Sequence, residues 1–274
     1  MKYSISTINH ITTALNFAKR CGYNINLDNP TTIQDKLMWL NIFDVNPLKS
    51  LCADKIKLHD YSKLILGEDI CIPIIKIYNN TKEINFDELP NQFVLKCNHG
   101  SGMNIIVNSK SQLNYYDTIN KLNHWLLVDF TFQNGFEAHY HDIVKKCFAE
   151  EYMNFTNHES LYDYKFWCFN GEPQIYTIND GNGHGDIMYY TIDGKELNLY
   201  NVPKHNDYIK PKLFNKMVEY SKQLSKLFKF VRVDFYEINN KVYLGELTFT
   251  PGACLFSYTN PEDNIKIGNL LKID

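Results

Sequence analysis

Arginine is almost absent from this chain. Of its 28 basic residues, only Arg20 and Arg232 are arginine, and all the others are lysine. A guanidinium group is planar and can donate two parallel hydrogen bonds to a carboxylate or phosphate, which an ammonium group cannot do. Because Arg232 stands inside a segment with a strand pattern, it predicts a site that needs a bidentate donor. Chance and codon bias are the alternative explanation.

Strong net charge, basic clusters and long apolar runs are missing as well. The formal charge is −3 and the lysines are spread along the chain, so the charge pattern favours no nucleic-acid partner. No apolar stretch reaches the roughly 20 residues that span a bilayer. The first ten residues also lack the apolar core of a signal peptide. We therefore expect no integral membrane segment.

Cysteine pairs are missing too. The seven cysteines are widely spaced and contain no C-x-x-C pair, which disfavours a zinc site, and their odd number disfavours a closed disulfide framework. We expect buried free thiols in a reducing compartment. The cysteines are Cys21, Cys52, Cys71, Cys97, Cys147, Cys168 and Cys254.

The chain has no repeat, low-complexity tract or flexible linker, so its lobes must join directly. Periodicity predicts a helix over residues 31–44, where Thr32 and Asp35 form a capping-box pattern. A second helix is predicted over about residues 51–66, with Gly67 as its stop signal.

Hairpins dominate the second half of the sequence. Strand patterns flank Asn170-Gly171 and Asp193-Gly194, and both dipeptides favour two-residue turns. A further helix and a last hairpin over residues 230–250 follow. Helices mixed with antiparallel hairpins predict an α+β fold, in which small α/β lobes and hairpins enclose a cleft.

The alternation of the last hairpin predicts its register. A two-residue turn at residues 239–240 would pair Asp234 with Gly245 and mix polar with apolar side chains on each face. A three-residue loop at residues 239–241 instead pairs Asp234 with Glu246 and separates the two faces. Since a slip of one residue moves every side chain to the other face, we expect the three-residue loop.

In that register Arg232, Asp234, Glu246 and Thr248 share one face of the hairpin. Two carboxylates beside a guanidinium fit a magnesium–phosphate site, because carboxylates bind the cation and arginine neutralises a transferred phosphoryl group. The alternative is a patch of cross-strand ion pairs on a solvent face.

A strand that ends in Lys96 leads into a turn with Gly100, Ser101 and Gly102. Such a turn can offer backbone N–H groups to phosphate oxygens. It is not a Walker A loop, because no G-K-[ST] follows. It is not a Rossmann turn either, because no helix follows. An ordinary turn between strands is the alternative.

Three further groups of residues are candidates. Residues 149–153 form a strand pattern that becomes acidic at its end, where the backbone could bind adenine and a carboxylate the ribose, although an ordinary edge strand has the same pattern. Lys165, beside Trp167, could contact phosphates or an acidic sugar. His139 and His141 have the alternate spacing of metal ligands, but without a third ligand nearby we expect surface or substrate-facing histidines.

The order of these motifs resembles that of the ATP-grasp superfamily, and most closely its TupA-like branch. That branch is associated with bacterial surface-polysaccharide and teichuronopeptide synthesis. The resemblance runs from about residue 31 to the end of the chain, and Asn98–Gly102 and Glu246–Gly252 are its most specific parts. The resembling segments are residues 39–48, 53–55, 89–102, 163–171 and 245–252.

The resemblance implies an ATP-grasp fold with ATP and Mg²⁺ as cofactors. It implies an N-terminal lobe (residues 1–90), a glycine-loop lobe (91–153) and a C-terminal lobe with the metal-binding hairpin (154–274). The residues that would bind the nucleotide are Lys55, Lys96, His99, Gly100, Ser101, Gly102, Glu150, Glu151, Tyr152 and Met153. The metal ligands would be Asp234, Glu246 and Thr248, and the catalytic cations Arg232 and Lys165.

The resemblance also implies how two of these segments would act. Residues 99–102 would form a mobile lid over the phosphates, and residues 150–153 would hold adenine through backbone groups. Thr248 departs from the asparagine that many ATP-grasp ligases have at this point, which leaves both one and two metal ions open.

The implied activity is ATP-dependent ligation of a carboxylate to an amine through an acyl phosphate. In this branch it implies an amide between an amino acid or related amine and a uronic-acid carboxyl of a bacterial glycan or its precursor. The protein would be cytoplasmic, or peripheral to the inner membrane. A sugar or small-molecule kinase on the same fold stays open. So does a glycosyltransferase or glycan-binding protein, although the sequence has no D-x-D motif.

Overall fold

The computed structural model describes residues 5–153, 162–180, 187–200 and 210–273. These residues form two antiparallel sheets with covering helices. The helices are α1 (Ile5–Arg20), α2 (Ile33–Phe43), α3 (Pro47–Ala53), α4 (Leu58–Leu66), α5 (Tyr115–Leu127), α6 (Phe214–Ser225) and α7 (Pro261–Gly268). The strands are β1 (Ile74–Tyr78), β2 (Phe93–Cys97), β3 (Asn104–Val107), β4 (Cys147–Glu151), β5 (Tyr162–Phe169), β6 (Glu172–Asp180), β7 (Met188–Thr191), β8 (Glu196–Leu197), β9 (Phe230–Ile238) and β10 (Lys241–Thr248).

The strand orders are β1-β4-β2-β3 in the first sheet and β10-β9-β5-β6-β7-β8 in the second, which confirms the α+β prediction. Helix α6 packs on β5, β6 and β9 of the second sheet. The glycine-loop lobe is expected to start at residue 91. The first sheet already includes β1, which lies before that residue. The three-part division stays a prediction. Within the described ranges, no helix has both the length and the apolar character to cross a bilayer.

The predicted start of α2 is confirmed, and α1 is an element that the sequence patterns did not predict. Thr32 Oγ1 accepts a hydrogen bond from the backbone N–H of Asp35 at 3.1 Å, and the Asp35 carboxylate accepts one from the backbone N–H of Thr32 at 3.1 Å. These reciprocal bonds satisfy two donors that a helix start leaves without partners.

The single helix predicted over residues 51–66 is wrong. The chain leaves helical geometry between α3 and α4 because Asp54 turns it: Asp54 Oδ1 accepts a hydrogen bond from the backbone N–H of Ile56 at 3.0 Å. A short aspartate side chain competes in this way with the helical ladder. The predicted end is confirmed, since Gly67 caps α4 in the left-handed conformation with φ 76°.

Both predicted hairpins are present, and the two-residue turn is confirmed at the first. Asn170 and Gly171 join β5 to β6 with φ values of 50° and 83°, as the left-handed positions of such a turn require. The turn between β7 and β8 is longer than predicted, because the backbone N–H of Thr191 donates to the Lys195 carbonyl and residues 192–194 form the loop, with Gly194 at φ 92°. Among the cysteines, six are buried free thiols as predicted, whereas Cys21 is exposed.

The last hairpin has the predicted register but not the predicted loop. Asp234 pairs with Glu246, yet the turn has only two residues. Asn239 and Asn240 have φ values of 51° and 59°, and Ile238 pairs with Lys241 on either side of them. This is the geometry of a type I′ turn.

A bulge at Gly245 supplies the missing shift of one residue. Leu244 pairs with Phe235 and Glu246 with Asp234, so Gly245 has no partner of its own. A Cβ atom at Gly245 would lie 2.8 Å from Cε2 of the Tyr236 ring. Glycine at this position therefore lets the acidic residue of β10 reach the polar face.

The two-residue turn predicts a stability effect at Asn240. Alanine tolerates the left-handed conformation poorly, at a cost of about 1–2 kcal/mol, so Asn240→Ala should lower the free energy of unfolding by about that amount, measured by urea denaturation. Asn240→Gly should not lower it, because glycine adopts positive φ freely. Lys241→Ala, at the first position of β10, is the control. Equal losses for Asn240→Ala and Lys241→Ala would contradict the turn.

Candidate active site

Arg232 is the centre of the polar face of β9 and β10. Its Nε and Nη2 atoms donate hydrogen bonds to the two carboxylate oxygens of Asp234 at 2.7 and 2.6 Å. Nη2 also lies 3.2 Å from Glu246 Oε1 and 3.2 Å from Thr248 Oγ1. The Thr248 hydroxyl in turn donates to Glu246 Oε1 at 2.7 Å. The predicted patch therefore forms one hydrogen-bonded network.

Lys165 joins this network from the neighbouring strand. It pairs with Asp234 in the β5–β9 ladder, and its Nζ atom lies 2.9 Å from Asp234 Oδ2. Lys165 also forms an ion pair with Asp163 on its own strand. Residues two apart on a strand share a face, so the spacing of Asp163 and Lys165 was the signal that could have identified Asp163 from the sequence.

Asp163 carries an oxygen with no partner. Its Oδ1 atom is buried and has no hydrogen-bond partner within the described residues. Burial and the negative charge of Asp234 raise the pKa of Asp163 to about 6, although Lys165 and Arg232 oppose this rise. A buried carboxylate oxygen without a partner is costly, so this atom is suited to a ligand.

Glu246 is held in its charged form. Burial opposes its ionisation, but the positive charges of Lys55, Arg232 and Lys165 outweigh that effect and lower the pKa of Glu246 to about 2. Lys55 contributes from outside the sheet, with its Nζ atom 3.9 Å from Glu246 Oε2. Glu246 is therefore a carboxylate at any physiological pH.

The break between α3 and α4 ties Lys55 to the glycine turn. Asn98 Nδ2 donates to Asp54 Oδ1 at 2.9 Å, and the backbone N–H of Lys55 donates to the Asn98 carbonyl at 3.1 Å. Lys55 Nζ donates to the Gly100 carbonyl at 2.6 Å. The helix break therefore places a lysine between the turn after β2 and the Glu246 carboxylate of β10.

The glycine turn is anchored at its start and exposed at its end. His99 is 1% exposed and its Nε2 atom lies 3.1 Å from the Trp125 carbonyl. A Cβ atom at Gly100 would lie 2.6 Å from the Phe130 ring, and Gly102 has φ 72° with open space around it. Within residues 99–102, only the last two are exposed. The buried His99 side chain is not part of the lining of the cleft described below, and its part in the lid stays a prediction.

The acidic end of β4 faces the same cleft. Glu150 is 7% exposed and forms an ion pair with Lys96 across the β2–β4 ladder. Glu151 is exposed, whereas Tyr152 and Met153 are half-buried. Among the described residues, Glu151 forms no such ion pair with a lysine.

A cleft of about 320 Å³ connects the two sheets at these residues. It lies at the lower end of the range for small-molecule sites. Its lining includes nine of the residues singled out from the sequence, namely Lys55, Lys96, Ser101, Gly102, Glu150, Lys165, Arg232, Asp234 and Glu246, together with Asp163 and Tyr236, which were not predicted. Thr248 lines an adjoining pocket that shares Ser101, Arg232 and Glu246 with this cleft.

The prediction for His139 is wrong. It is neither at the surface nor in the cleft, but 5% exposed, with its ring 5.5 Å from that of Phe249. Burial lowers its pKa to about 3, so it is a neutral core side chain. His141 is exposed, as expected.

Comparison with solved structures finds similar folds in three bacterial ligases. The D-alanine–D-alanine ligases of Bacillus anthracis and Helicobacter pylori are both 16% identical, with TM-scores of 0.45 and 0.48, over 81% of this chain and 66% and 62% of theirs. The L-amino acid ligase of Bacillus licheniformis is 9% identical, with a TM-score of 0.44, over 74% of this chain and 41% of its own. The chain thus spans less than two thirds of each.

Comparison with curated protein sequences gives no significant match. A family model, the TupA-like ATP-grasp model, matches residues 35–272. That range includes both sheets, the glycine turn and the polar network around Arg232. The chain therefore belongs to the TupA-like ATP-grasp family.

Proposed function

We propose that this protein is an ATP-dependent carboxylate–amine ligase. The observation that carries the proposal is that Lys55, Lys96, Lys165 and Arg232 line one cleft together with four carboxylates, below a glycine turn. Four cations match the negative charge of a triphosphate. The carboxylates match its metal ion.

The carboxylates fit Mg²⁺ by their chemistry, since this cation prefers oxygen ligands. Glu246 is ionised, and within the described residues the one ion-pair partner of its Oε2 atom is Lys55, at 3.9 Å. Asp163 offers the buried oxygen without a partner. Both oxygens of Asp234 are bound by Arg232 and Lys165. Glu246 and Asp163 are therefore the better-placed ligands, with Asp234 as their orienting neighbour and Thr248 as a neutral hydroxyl.

Bound Mg²⁺ would neutralise phosphate charge and hold the β- and γ-phosphates of ATP in one orientation. The chain's own residues would do the remaining work. Lys96 and the backbone of residues 150–153 would bind the α-phosphate and adenine side, and Lys55 the phosphates nearer the second sheet. Ser101 and Gly102, at the exposed end of the turn, would close over them and exclude water.

Arg232 and Lys165 would act where the reaction occurs. A substrate carboxylate attacks the γ-phosphate, ADP leaves, and an acyl phosphate forms. An amine then attacks the acyl carbon, and inorganic phosphate leaves as the amide forms. Both steps place negative charge on phosphoryl oxygens, which a guanidinium and an ammonium group held in fixed positions stabilise.

We further propose, on the family's association with surface-polysaccharide synthesis, that the acid is a uronic-acid carboxyl of a bacterial glycan or its precursor, and the amine an amino acid or related compound. The ligase can be told from a kinase by its products. With both acid and amine present, the ligase releases one phosphate for each amide. A sugar kinase would instead leave the phosphate on the acceptor and need no amine. Phosphate release should therefore require both substrates, and release of ADP with a phosphorylated sugar would contradict the ligase.

Glu246→Gln should remove the charge that the metal needs while keeping the side chain's shape. We expect phosphate release with ATP to fall by at least about 100-fold, and stabilisation by Mg–ADP in a thermal-shift assay to weaken. Glu196→Gln, on exposed strand β8 at the other edge of the same sheet, is the matched control and should change neither. Full turnover by Glu246→Gln would show that the hairpin is not the metal site.

Gly102→Val should impair nucleotide binding specifically. Its φ of 72° disfavours a branched side chain, and a shift at the end of the turn should raise the KM for ATP about tenfold, equivalent to about 1.4 kcal/mol. Gly67→Val is the control, because Gly67 has φ 76° and equally open surroundings but caps α4 outside the cleft. If both variants raised the KM equally, general destabilisation would explain the effect.

A further inference from the structure

A second pocket, of about 530 Å³, adjoins the nucleotide cleft. The two share Ser101, Arg232 and Glu246, so a molecule in the second pocket would lie next to the phosphoryl-transfer residues. Its far wall comes from α1 and from the segment between α5 and β4, which contribute Phe17, Phe130, Glu137 and Tyr140.

Glu137 is the unusual residue of this wall. It is 5% exposed, and its carboxylate receives hydrogen bonds only from neutral groups, the Thr250 hydroxyl and Asn134 Nδ2, the latter at 3.4 Å. Among the described residues, the groups that act on its pKa include no cation, and burial with the charge of Glu246 raises that pKa. A buried carboxylate without a cationic partner is unfavourable, so the site is incomplete as it stands.

Aromatic rings surround the same wall. Phe130 and Tyr140 pack edge to face with centroids 4.8 Å apart. Phe17 lies against Gly135, which precedes Glu137 by two residues. A Cβ atom at Gly135 would be 2.8 Å from the Phe17 ring. Ring faces attract cations, and this attraction adds to that of a carboxylate when water is excluded. Arg232, the only basic side chain of the lining, is already paired with Asp234 and Glu246.

We infer that this pocket binds the amine substrate as its ammonium form, with Glu137 as the carboxylate that recognises the charge. The inference rests on the proposed ligase function and deepens it, since it names the residue and the charge state. The primary ammonium group contacts Glu137 and the ring faces, and it passes one proton to the Glu137 carboxylate before the neutral amine attacks the acyl phosphate. Neutral analogues of the same skeleton leave Glu137 without a partner and bind weakly.

The test uses the full chain loaded with Mg–ADP, and a panel of the twenty common L-amino acids, their D-enantiomers where they exist, and ethanolamine. Each compound is compared with its N-acetyl counterpart by thermal shift, and positives by calorimetry. We expect at least one free amine to stabilise the protein and its N-acetyl form not to. Glu137→Gln should weaken binding of that amine at least tenfold and leave Mg–ADP affinity within twofold.

Glu137→Asp separates charge recognition from a structural role. It keeps the negative charge and should keep the preference for the free amine, whereas a purely structural role predicts equal losses in both variants. Equal amine affinity in wild type and Glu137→Gln overturns the inference, and so does a panel in which no free amine is preferred. Failure of wild type to bind Mg–ADP would instead contradict the proposed function itself, so the two failures are distinguishable.

Discussion

The bidentate bond between Arg232 and Asp234 is the interaction on which the site depends. It lies near one edge of the second sheet, where β9 pairs with both β5 and the edge strand β10. Strand β5 delivers Lys165 to the same carboxylate, and β10 delivers Glu246 and Thr248 to the same guanidinium. The cluster therefore forms only if both ladders keep their register, and the Gly245 bulge sets one of them.

A charged contact made by Lys55 links the two sheets at the cleft. Lys55 links the carbonyl of Gly100 in the first sheet's glycine turn to Glu246 in the second sheet. The residue comes into position because Asp54 breaks the helix that precedes it. Lys55, Gly102 and Glu246 all line the open cleft between the sheets. On the proposed function, a nucleotide would enter through this opening.

Residue patterns predicted the fold class, and together with the family resemblance they singled out nine of the residues that line the cleft. They failed where long-range contacts decide. The register of β9 and β10 followed from the separation of polar and apolar faces, although the loop was wrong, because alternation cannot distinguish a longer loop from a bulge. The same alternation could have identified Asp163 from the sequence. It could not have predicted the burial of His99 and His139, because that burial depends on Trp125 and Phe249, which are distant in sequence.

The most direct measurement is a crystal structure of the chain with Mg²⁺ and a non-hydrolysable ATP analogue. We predict that the triphosphate lies between Ser101–Gly102 and the β9–β10 hairpin. Lys55 and Lys96 should contact its oxygens, and the metal ion should contact Glu246. Adenine should lie against the backbone of residues 150–153. A nucleotide bound elsewhere, or a metal ion with no contact to Glu246, would contradict it.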